Sequence, residues 1–307
     1  MRFIHTFIYY LSLQIGIMLF TFVLFHIIPT DPARIILGPY ADETQVESAR
    51  KELGLDKPLL VQFADYLYGV SRFDFGKSYT DNRPVYQEVC EKFKLSLFLV
   101  FLSLLFVLLY CFVVIAGDRR INSLLKLLNF FFVSMPTFFS GTIIAVLVFL
   151  YYPFTAFSGE LESMYDYLYM VPPAFVLALY PMAILARILS QQIESISESP
   201  YIKYVRVNGL SEWQIRFRHI LKNAMIPFLA AFSNQLPMLF TGAFIVEIIF
   251  SIPAIGSLLV TSILQKDFPM LQGIVIVNGV FFILINFVFE ILYPLIDPRI
   301  NSANASK

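Results

Sequence analysis

Six long apolar stretches separated by polar segments dominate the pattern of hydrophobic and polar positions along this chain. A helix needs about 20 predominantly apolar residues to cross the hydrocarbon core of a membrane, and each stretch is close to that length or exceeds it. The pattern therefore predicts an all-α polytopic membrane protein with six transmembrane helices. These are Phe7–Ile28, Leu95–Ala116, Leu127–Tyr152, Met170–Leu189, Ala224–Phe250 and Leu271–Leu295.

The first apolar stretch resembles a signal peptide only superficially. It is about 22 residues long, which exceeds the 7–15-residue core of a signal peptide, and no small-residue cleavage site follows it. We interpret residues 1–28 as an uncleaved first transmembrane helix.

Prolines fall inside or beside the third and fourth stretches. They are Pro136, Pro172, Pro173 and Pro181. Because proline lacks a backbone N–H, we expect helices to kink or end at these positions.

Lysine and arginine are unevenly distributed among the polar segments. The loop after the second stretch contains Arg119, Arg120 and Lys126, whereas residues 151–169 contain neither Lys nor Arg. Five more basic residues lie between the fourth and fifth stretches: Lys203, Arg206, Arg216, Arg218 and Lys222. Basic loops stay in the cytoplasm, so we expect both termini, including a tail over residues 296–307, to be cytoplasmic.

This orientation places residues 29–94 outside, as a structured loop subdomain. Asp42 and Gln45 fit a helix N-cap and its capping-box partner, and Gly54 fits the end of that helix. A second helix, Leu59–Val70, has one apolar face. That face is expected either to pack on the rest of the loop or to lie on the membrane surface.

The longest cytoplasmic segment, residues 191–223, belongs to the predicted five-helix core 95–295 and has a specific internal organisation. Ser199 before Pro200 fits a helix start, and Gly209 fits the end of that short helix. Ser211 and Gln214 fit a second capping box, which opens a helix running through Leu221. We call residues 199–220 the hook, because they are predicted to form two short helices bent at one glycine.

The pattern of the hook is compatible with two interpretations. It could be a solvated basic loop that only sets the membrane topology. Alternatively, a compact pair of short helices suits docking into a groove of a soluble partner.

Composition agrees with a membrane protein. Hydrophobic residues make up 58% of the 307 residues and charged residues 14%, whereas a soluble domain carries about 25% charged residues. The formal net charge is zero, which argues against nucleic-acid binding as the main function.

The sequence contains no arrangement expected of an enzyme. No GxxxxGK phosphate-binding loop occurs, and His5, His26 and His219 are scattered over different sides of the membrane. Cys90 and Cys111 lack CxxC partners and are expected to be unreactive thiols. We therefore predict no metal site, no bound cofactor and no catalysis in this chain.

Polar residues within transmembrane segments are candidates for a transport pathway. Glu247 on the fifth predicted span could face the pathway or an external partner, or its side chain could simply reach the interface. Asn234, Gln235, Asn278 and Asn286 could line a substrate cavity. Packing between helices is an equally good explanation of the four amides.

Several short motifs, in a fixed order, resemble the permease subunits of ABC importers of the dipeptide/oligopeptide/nickel permease family. In chain order they are HIIPTDP (26–32), ELGLDKPL (52–59), FDFGKS (73–78), SMPTF (134–138), YIKYVRVNGLS (201–211), VEIIFSIP (246–253), DFPM (267–270) and LIDPR (295–299). The resemblance covers nearly the whole chain, and its specificity comes from the order and spacing of the motifs.

The resemblance implies that the hook matches the family's "EAA" loop, the element that sits in a cleft of an ATPase subunit. The matching residues are Tyr201, Lys203, Tyr204, Val205, Arg206, Gly209, Leu210 and Ser211. Lys203, Tyr204 and Val205 stand where the general pattern has Glu-Ala-Ala, so only Gly209 is kept from its core. Ala254 replaces a glycine that is usual in the family.

The resemblance further implies an importer subunit in the cytoplasmic (inner) membrane of a bacterium. Its partners would be a second homologous permease, two ATPase subunits that bind ATP and Mg, an external solute-binding protein and membrane lipid. The cargo is expected to be di- or oligopeptides or chelated nickel, read mainly by the binding protein. The alternative is an ion-coupled secondary transporter or channel that acts without ATPases, although no acid is evident at the midplane of any span.

Overall fold

The computed structural model of the protein describes residues 2–27, 31–38, 40–117, 119–151 and 164–296. Helices account for about 85% of these residues, and no β-strand occurs among them. Among these residues, five helices are long and apolar enough to cross a membrane, or six if a bent pair of helices is counted as one span. This confirms the predicted all-α polytopic fold. Two predictions lie outside the described residues: the tail beyond Ile296, and the end of the first span at Ile28.

The chain divides into two compact units. The first comprises Met1–Lys94 and Ala254–Phe287, and the second comprises Leu95–Pro253 and Val288–Lys307. The predicted five-helix core 95–295 is therefore split between the two units.

The first unit contains six helices and the beginning of a seventh. They are α1 (Arg2–Ile27), α2 (Pro32–Leu37), α3 (Glu43–Glu52), α4 (Leu59–Ser71), the first ten residues of α5 (Val85–Ala116), α13 (Ile255–Gln265) and most of α14 (Phe268–Ile296). The helices predicted after Asp42 and Pro58 are present as α3 and α4. The short helices α2 and α13 were missed by the sequence pattern.

The apolar face of α4 is only partly covered. Phe63 and Tyr66 pack against Phe22 of α1, with ring centroids 5.2 and 6.0 Å apart respectively. Leu59 and Leu60 at the start of α4 remain exposed. Packing onto α1 therefore explains one part of this face and not the other.

A buried carboxylate anchors the loop before α5 to the start of α14. Asp267, which is 2% exposed, accepts hydrogen bonds from Ser78 Oγ at 2.5 Å, Tyr79 N at 3.2 Å and Thr80 Oγ1 at 3.3 Å. It also accepts one from Met270 N at 3.4 Å, as the N-cap of α14. Burial, together with the Asp267 charge, raises the pKa of Tyr79 to about 12.

The second unit is built around α9. Its helices are the remainder of α5, α6 (Arg119–Ser134), α7 (Thr137–Tyr151), α8 (Met164–Tyr169), α9 (Val171–Ser197), α10 (Pro200–Val207), α11 (Glu212–Gln214), a π-helix (Ile215–Ile220), α12 (Leu221–Ile249) and the end of α14. A hydrophobic core joins α5, α6, α9 and α12 through residues such as Val107, Leu125, Leu185 and Phe228. Cys111 is buried in this core, as expected of a small apolar side chain.

Three predicted spans differ from the observed helices. The second begins at Val85 rather than Leu95, because the polar turns before the apolar stretch contain no residue that stops a helix. The third is broken at Pro136 into α6 and α7, and the direction of the helix axis changes by 101° between them. By contrast, α9 continues through Pro181 and runs to Ser197, eight residues beyond the predicted Leu189.

Candidate functional site

The first half of the hook is shaped by local hydrogen bonds and one glycine. Ser199 Oγ accepts a hydrogen bond from Ile202 N at 3.4 Å, and Pro200 is the first residue of α10. The helix ends at Val207, and Gly209 has a φ of +79°. A side chain is unfavourable in this left-handed conformation, so the predicted bend at Gly209 is confirmed.

The second half begins with the predicted capping box. Ser211 N donates to Gln214 Oε1 at 3.1 Å, and Gln214 N donates to Ser211 Oγ at 3.3 Å. The predicted helix through Leu221 follows, and its residues Ile215–Ile220 form a π-helix, which the sequence did not indicate. Leu221 N accordingly donates to the carbonyl of Arg216, five residues back.

The hook has its own hydrophobic core. Ile202 and Val205 of α10 pack with Ile215 and Ile220 of the π-helix. Ile193, Ile196 and Leu210 pack around them. Val205 and Leu210, two of the predicted site residues, therefore hold the hook together and present little surface to a partner.

Polar contacts hold the two halves of the hook to one another. Arg206 Nε donates to Glu212 Oε1 at 2.7 Å, and Arg206 Nη2 donates to Glu212 Oε2 at 3.2 Å. This hydrogen bonding to Glu212 raises the pKa of the Arg206 guanidinium. The Tyr201 hydroxyl and His219 Nδ1 form a second link of 2.6 Å.

The outer surface of the hook is apolar and aromatic. Val207 is 85% exposed, Tyr204 69% and Trp213 59%. The Trp213 ring lies against Phe217, with centroids 4.0 Å apart. Exposed aromatic and aliphatic side chains on a self-packed scaffold are typical of a protein-docking surface.

A polar cavity of about 950 Å³ lies beside the hook. Lys203, Arg206 and Arg216 line it from the hook, and Glu194 of α9 and the following Glu198 also line it. Lys126 of α6 also contributes and forms an ion pair with Glu194, Nζ to Oε2, at 3.1 Å. Four basic and three acidic side chains line the cavity, so their formal charges nearly cancel.

Arg216 makes contacts that the sequence did not indicate. Its Nη1 donates to the backbone carbonyls of Ile115 at 3.0 Å, Ala116 at 3.1 Å and Gly117 at 2.9 Å, at the end of α5. In the sequence Arg216 was only one of several basic residues that indicated topology. No local signal connects it with residues about a hundred positions earlier.

Three of the predicted pathway residues lie on α12 and are spread along it. Glu247 is fully buried, so the interpretation that its side chain reaches the interface is wrong. Gln235 is buried and its Oε1 has no hydrogen-bond partner among the described residues, whereas the adjacent Asn234 is exposed. Gln235 and Glu247 are twelve positions apart, which corresponds to about 18 Å along the helix, so they do not form one site.

The other two predicted pathway residues lie on α14. Asn278 is half-buried, and its Oδ1 has no hydrogen-bond partner in the described part of the chain. Asn286 is exposed, and its Nδ2 donates to the carbonyl of Phe282 on the same helix at 2.8 Å. A role of either residue in a pathway stays a prediction. Among the described residues, no group of three or more His, Cys, Asp or Glu side chains could hold a metal ion.

Two family models match the chain. The model described as "Binding-protein-dependent transport system inner membrane component" matches residues 111–302, which include the hook. The model of the N-terminal part of such membrane components matches residues 1–100. Together they account for most of the chain.

Curated bacterial proteins are similar over almost their full length. The glutathione transport system permease protein GsiC of Salmonella typhimurium is 32% identical, with 94% of each chain covered. The di/tripeptide transport system permease protein DppB of Pseudomonas aeruginosa is 32% identical, with 93% of this chain and 94% of the relative covered. A Brucella abortus protein named as a peptide transport system permease is also 32% identical, with 91% and 92% covered.

Proposed function

This chain belongs to the inner membrane components of binding-protein-dependent transport systems, and from that membership we propose that it is the permease subunit of an ATP-driven importer of short peptides. It is an ABC importer permease of the peptide family and a multi-pass protein of the inner membrane. In the proposed assembly it pairs with a second homologous permease. Two ATPase subunits bind ATP and Mg, and an external solute-binding protein delivers the cargo.

Peptide cargo is favoured by the names of the relatives, which refer to glutathione, di- and tripeptides, and peptides. Chelated nickel is the other cargo that the sequence motifs allow. We propose short peptides as the cargo, and nickel uptake by the complete assembly would contradict this.

The exposed surface of the hook is the observation that carries the proposal. The hook is braced internally by Ile202, Val205, Ile215 and Ile220, so it can keep its shape while a partner holds it. Its apolar side chains face away from that core, with Val207 the most exposed of them. These features support docking of the hook into an ATPase subunit, and they favour that interpretation over a loop that only sets topology.

Site-directed labelling tests both the side of the membrane and the docking. In a background with Cys90→Ser and Cys111→Ser, Val207→Cys places one thiol on the exposed surface of the hook. We expect a membrane-impermeant maleimide to label it in inside-out vesicles and not in intact cells, because the loop is proposed to be cytoplasmic. Co-expressed ATPase subunits should protect it from labelling.

Val205→Cys is the matched control, since position 205 lies two residues away and is 6% exposed. It should label slowly under every condition. Labelling of Val207→Cys from outside intact cells would overturn the proposed topology. Equal labelling with and without the ATPases would overturn the docking.

Reconstitution separates the importer from a transporter that works alone. Proteoliposomes containing only this chain should not take up a labelled dipeptide, and the complete assembly with its binding protein should do so when ATP is supplied. Uptake by the chain alone would instead support an ion-coupled transporter or channel. Replacing the dipeptide by radioactive nickel with a chelator in the complete assembly decides the cargo.

A further inference from the structure

Arg216 joins the hook to a transmembrane helix that is not its neighbour in sequence. The hook is continuous with α9 through Glu198 and with α12 through Leu221. It has no backbone connection to α5. The guanidinium of Arg216 nevertheless contacts three successive carbonyls at the end of α5, at 2.9–3.1 Å.

These carbonyls are suited to bind a cation. The last carbonyls of an α-helix have no partner within the helix, and the helix dipole concentrates partial negative charge there. Arginine presents several N–H donors from one rigid planar group. Because Arg216 is half-buried, water competes less with this contact than with an exposed ion pair.

The π-helix fixes the position from which Arg216 reaches α5. Ile215, the residue before it, is fully buried in the core of the hook, and Ile220 is buried at the other end of the same turn. The bond from Leu221 N to the Arg216 carbonyl holds the backbone of Arg216 itself. Single π-turns within helices are often found at functional sites.

We propose that Arg216 is a positioning residue that makes the end of α5 move with the hook. This inference rests on the proposed function, because it assumes that ATPases move the hook. Backbone continuity couples α9 and α12 to that movement, and the three hydrogen bonds of Arg216 add α5. Without them, ATP hydrolysis continues while the transmembrane helices respond incompletely.

The test compares substitutions at two arginines of the same π-helix in the complete importer, reconstituted with its partner permease, ATPases and binding protein. Arg216→Gln removes the charge and leaves an NH2 group on a shorter side chain, and Arg216→Met leaves an unbranched apolar side chain without any donor. Arg216→Lys keeps a cation with several donors. Arg218→Gln is the matched control, because Arg218 is exposed and makes none of the contacts to α5.

The measured quantity is the number of dipeptides taken up per ATP hydrolysed. A purely structural role would lower uptake and hydrolysis together, in proportion to the folded protein, and leave this ratio unchanged. We expect the ratio to fall about tenfold or more in Arg216→Gln and Arg216→Met. It should stay within about threefold of wild type in Arg216→Lys and be unchanged in Arg218→Gln.

If Arg216→Gln or Arg216→Met reaches the membrane and its ratio of uptake to hydrolysis is unchanged, the inference is overturned. An equal fall of this ratio in Arg218→Gln would overturn it as well. Failure of the proposed function has a different signature. In that case the wild-type chain would not couple ATP hydrolysis to uptake at all, and no comparison between variants would arise.

Discussion

Arg206 and Glu212 are joined by two hydrogen bonds, one to each carboxylate oxygen, that close the bend of the hook around Gly209. The atoms are 2.7 and 3.2 Å apart, and the two side chains are 48% and 72% exposed. An exposed ion pair contributes little to global stability. The pair is therefore better placed to fix the angle between α10 and α11 than to stabilise the fold.

Reversing one charge of this pair should affect transport and leave stability almost unchanged. In Arg206→Glu, two carboxylates face each other across the bend, and we expect uptake to fall about tenfold or more. The midpoint of thermal unfolding should change by less than about 2 °C. Uptake assays and thermal unfolding of the purified chain measure the two effects.

The double variant Arg206→Glu with Glu212→Arg provides the control. It restores opposite charges with the positions exchanged, so uptake should recover substantially. A double variant as inactive as Arg206→Glu would show that Arg206 acts through something other than Glu212.

The conformation of Gly209 should also limit which residues are accepted there. An added Cβ would have no heavy atom within 4 Å, so the only obstacle is the φ of +79°. We expect Gly209→Ala to disfavour the bent hook by about 1–2 kcal/mol and to reduce uptake. Gly209→Asn should be milder, because asparagine adopts the left-handed region more readily than alanine.

Gly16→Ala is the appropriate comparison for Gly209. Its Cβ also meets nothing within 4 Å, but Gly16 lies in α1 with an ordinary helical conformation. Alanine should be neutral or slightly stabilising there. Equal uptake by the Ala and Asn variants at position 209 would contradict the conformational explanation.

The parts of the hook that were predicted correctly all depend on short-range interactions. Ser199, Gly209 and the Ser211–Gln214 capping box act within a few residues of their own positions, so their spacing is visible in the sequence. The π-helix is different, because one wider turn barely disturbs the pattern of apolar positions. The contact of Arg216 with α5 joins residues about a hundred positions apart and has no sequence signal.

The same distinction holds for the transmembrane helices. Hydropathy located the apolar part of each long helix, because lipid requires an apolar surface. It could not locate helix ends that lie in polar sequence, as at Val85. It also could not show that Asp267 anchors Ser78, since a buried carboxylate depends on donors 187–189 residues away.

Removing this carboxylate should destabilise the first unit strongly. In Asp267→Ala, three donors of residues 78–80 lose their acceptor and α14 loses its N-cap, which we expect to cost about 4 kcal/mol. Ser78→Ala removes one donor to a charged group and should cost about 2 kcal/mol. Thermal unfolding in detergent measures both.

The two substitutions should not be additive, because they remove parts of one network. Adding Ser78→Ala to Asp267→Ala should change the unfolding midpoint much less than Ser78→Ala does alone. Full additivity would mean that Ser78 stabilises the fold by contacts other than Asp267.

In the first unit, α14 approaches the start of α5 closely at Gly273. A Cβ on Gly273 would lie 2.4 Å from Val85 Cγ1 and 3.4 Å from Val89 Cγ2. Both valines are fully buried, so neither side chain can move aside into solvent. Small residues commonly allow such close packing between membrane helices.

Gly273→Ala should therefore destabilise the protein by about 1–3 kcal/mol through overpacking. Val85→Ala alone should also destabilise it, because it leaves a cavity. The double variant removes Val85 Cγ1, the atom that an added Cβ at position 273 would meet, so it should be more stable than Gly273→Ala. A double variant with a lower thermal midpoint than Gly273→Ala would show that the helices are not packed through this pair. A higher midpoint than that of Gly273→Ala would identify Gly273 as the residue that permits their contact.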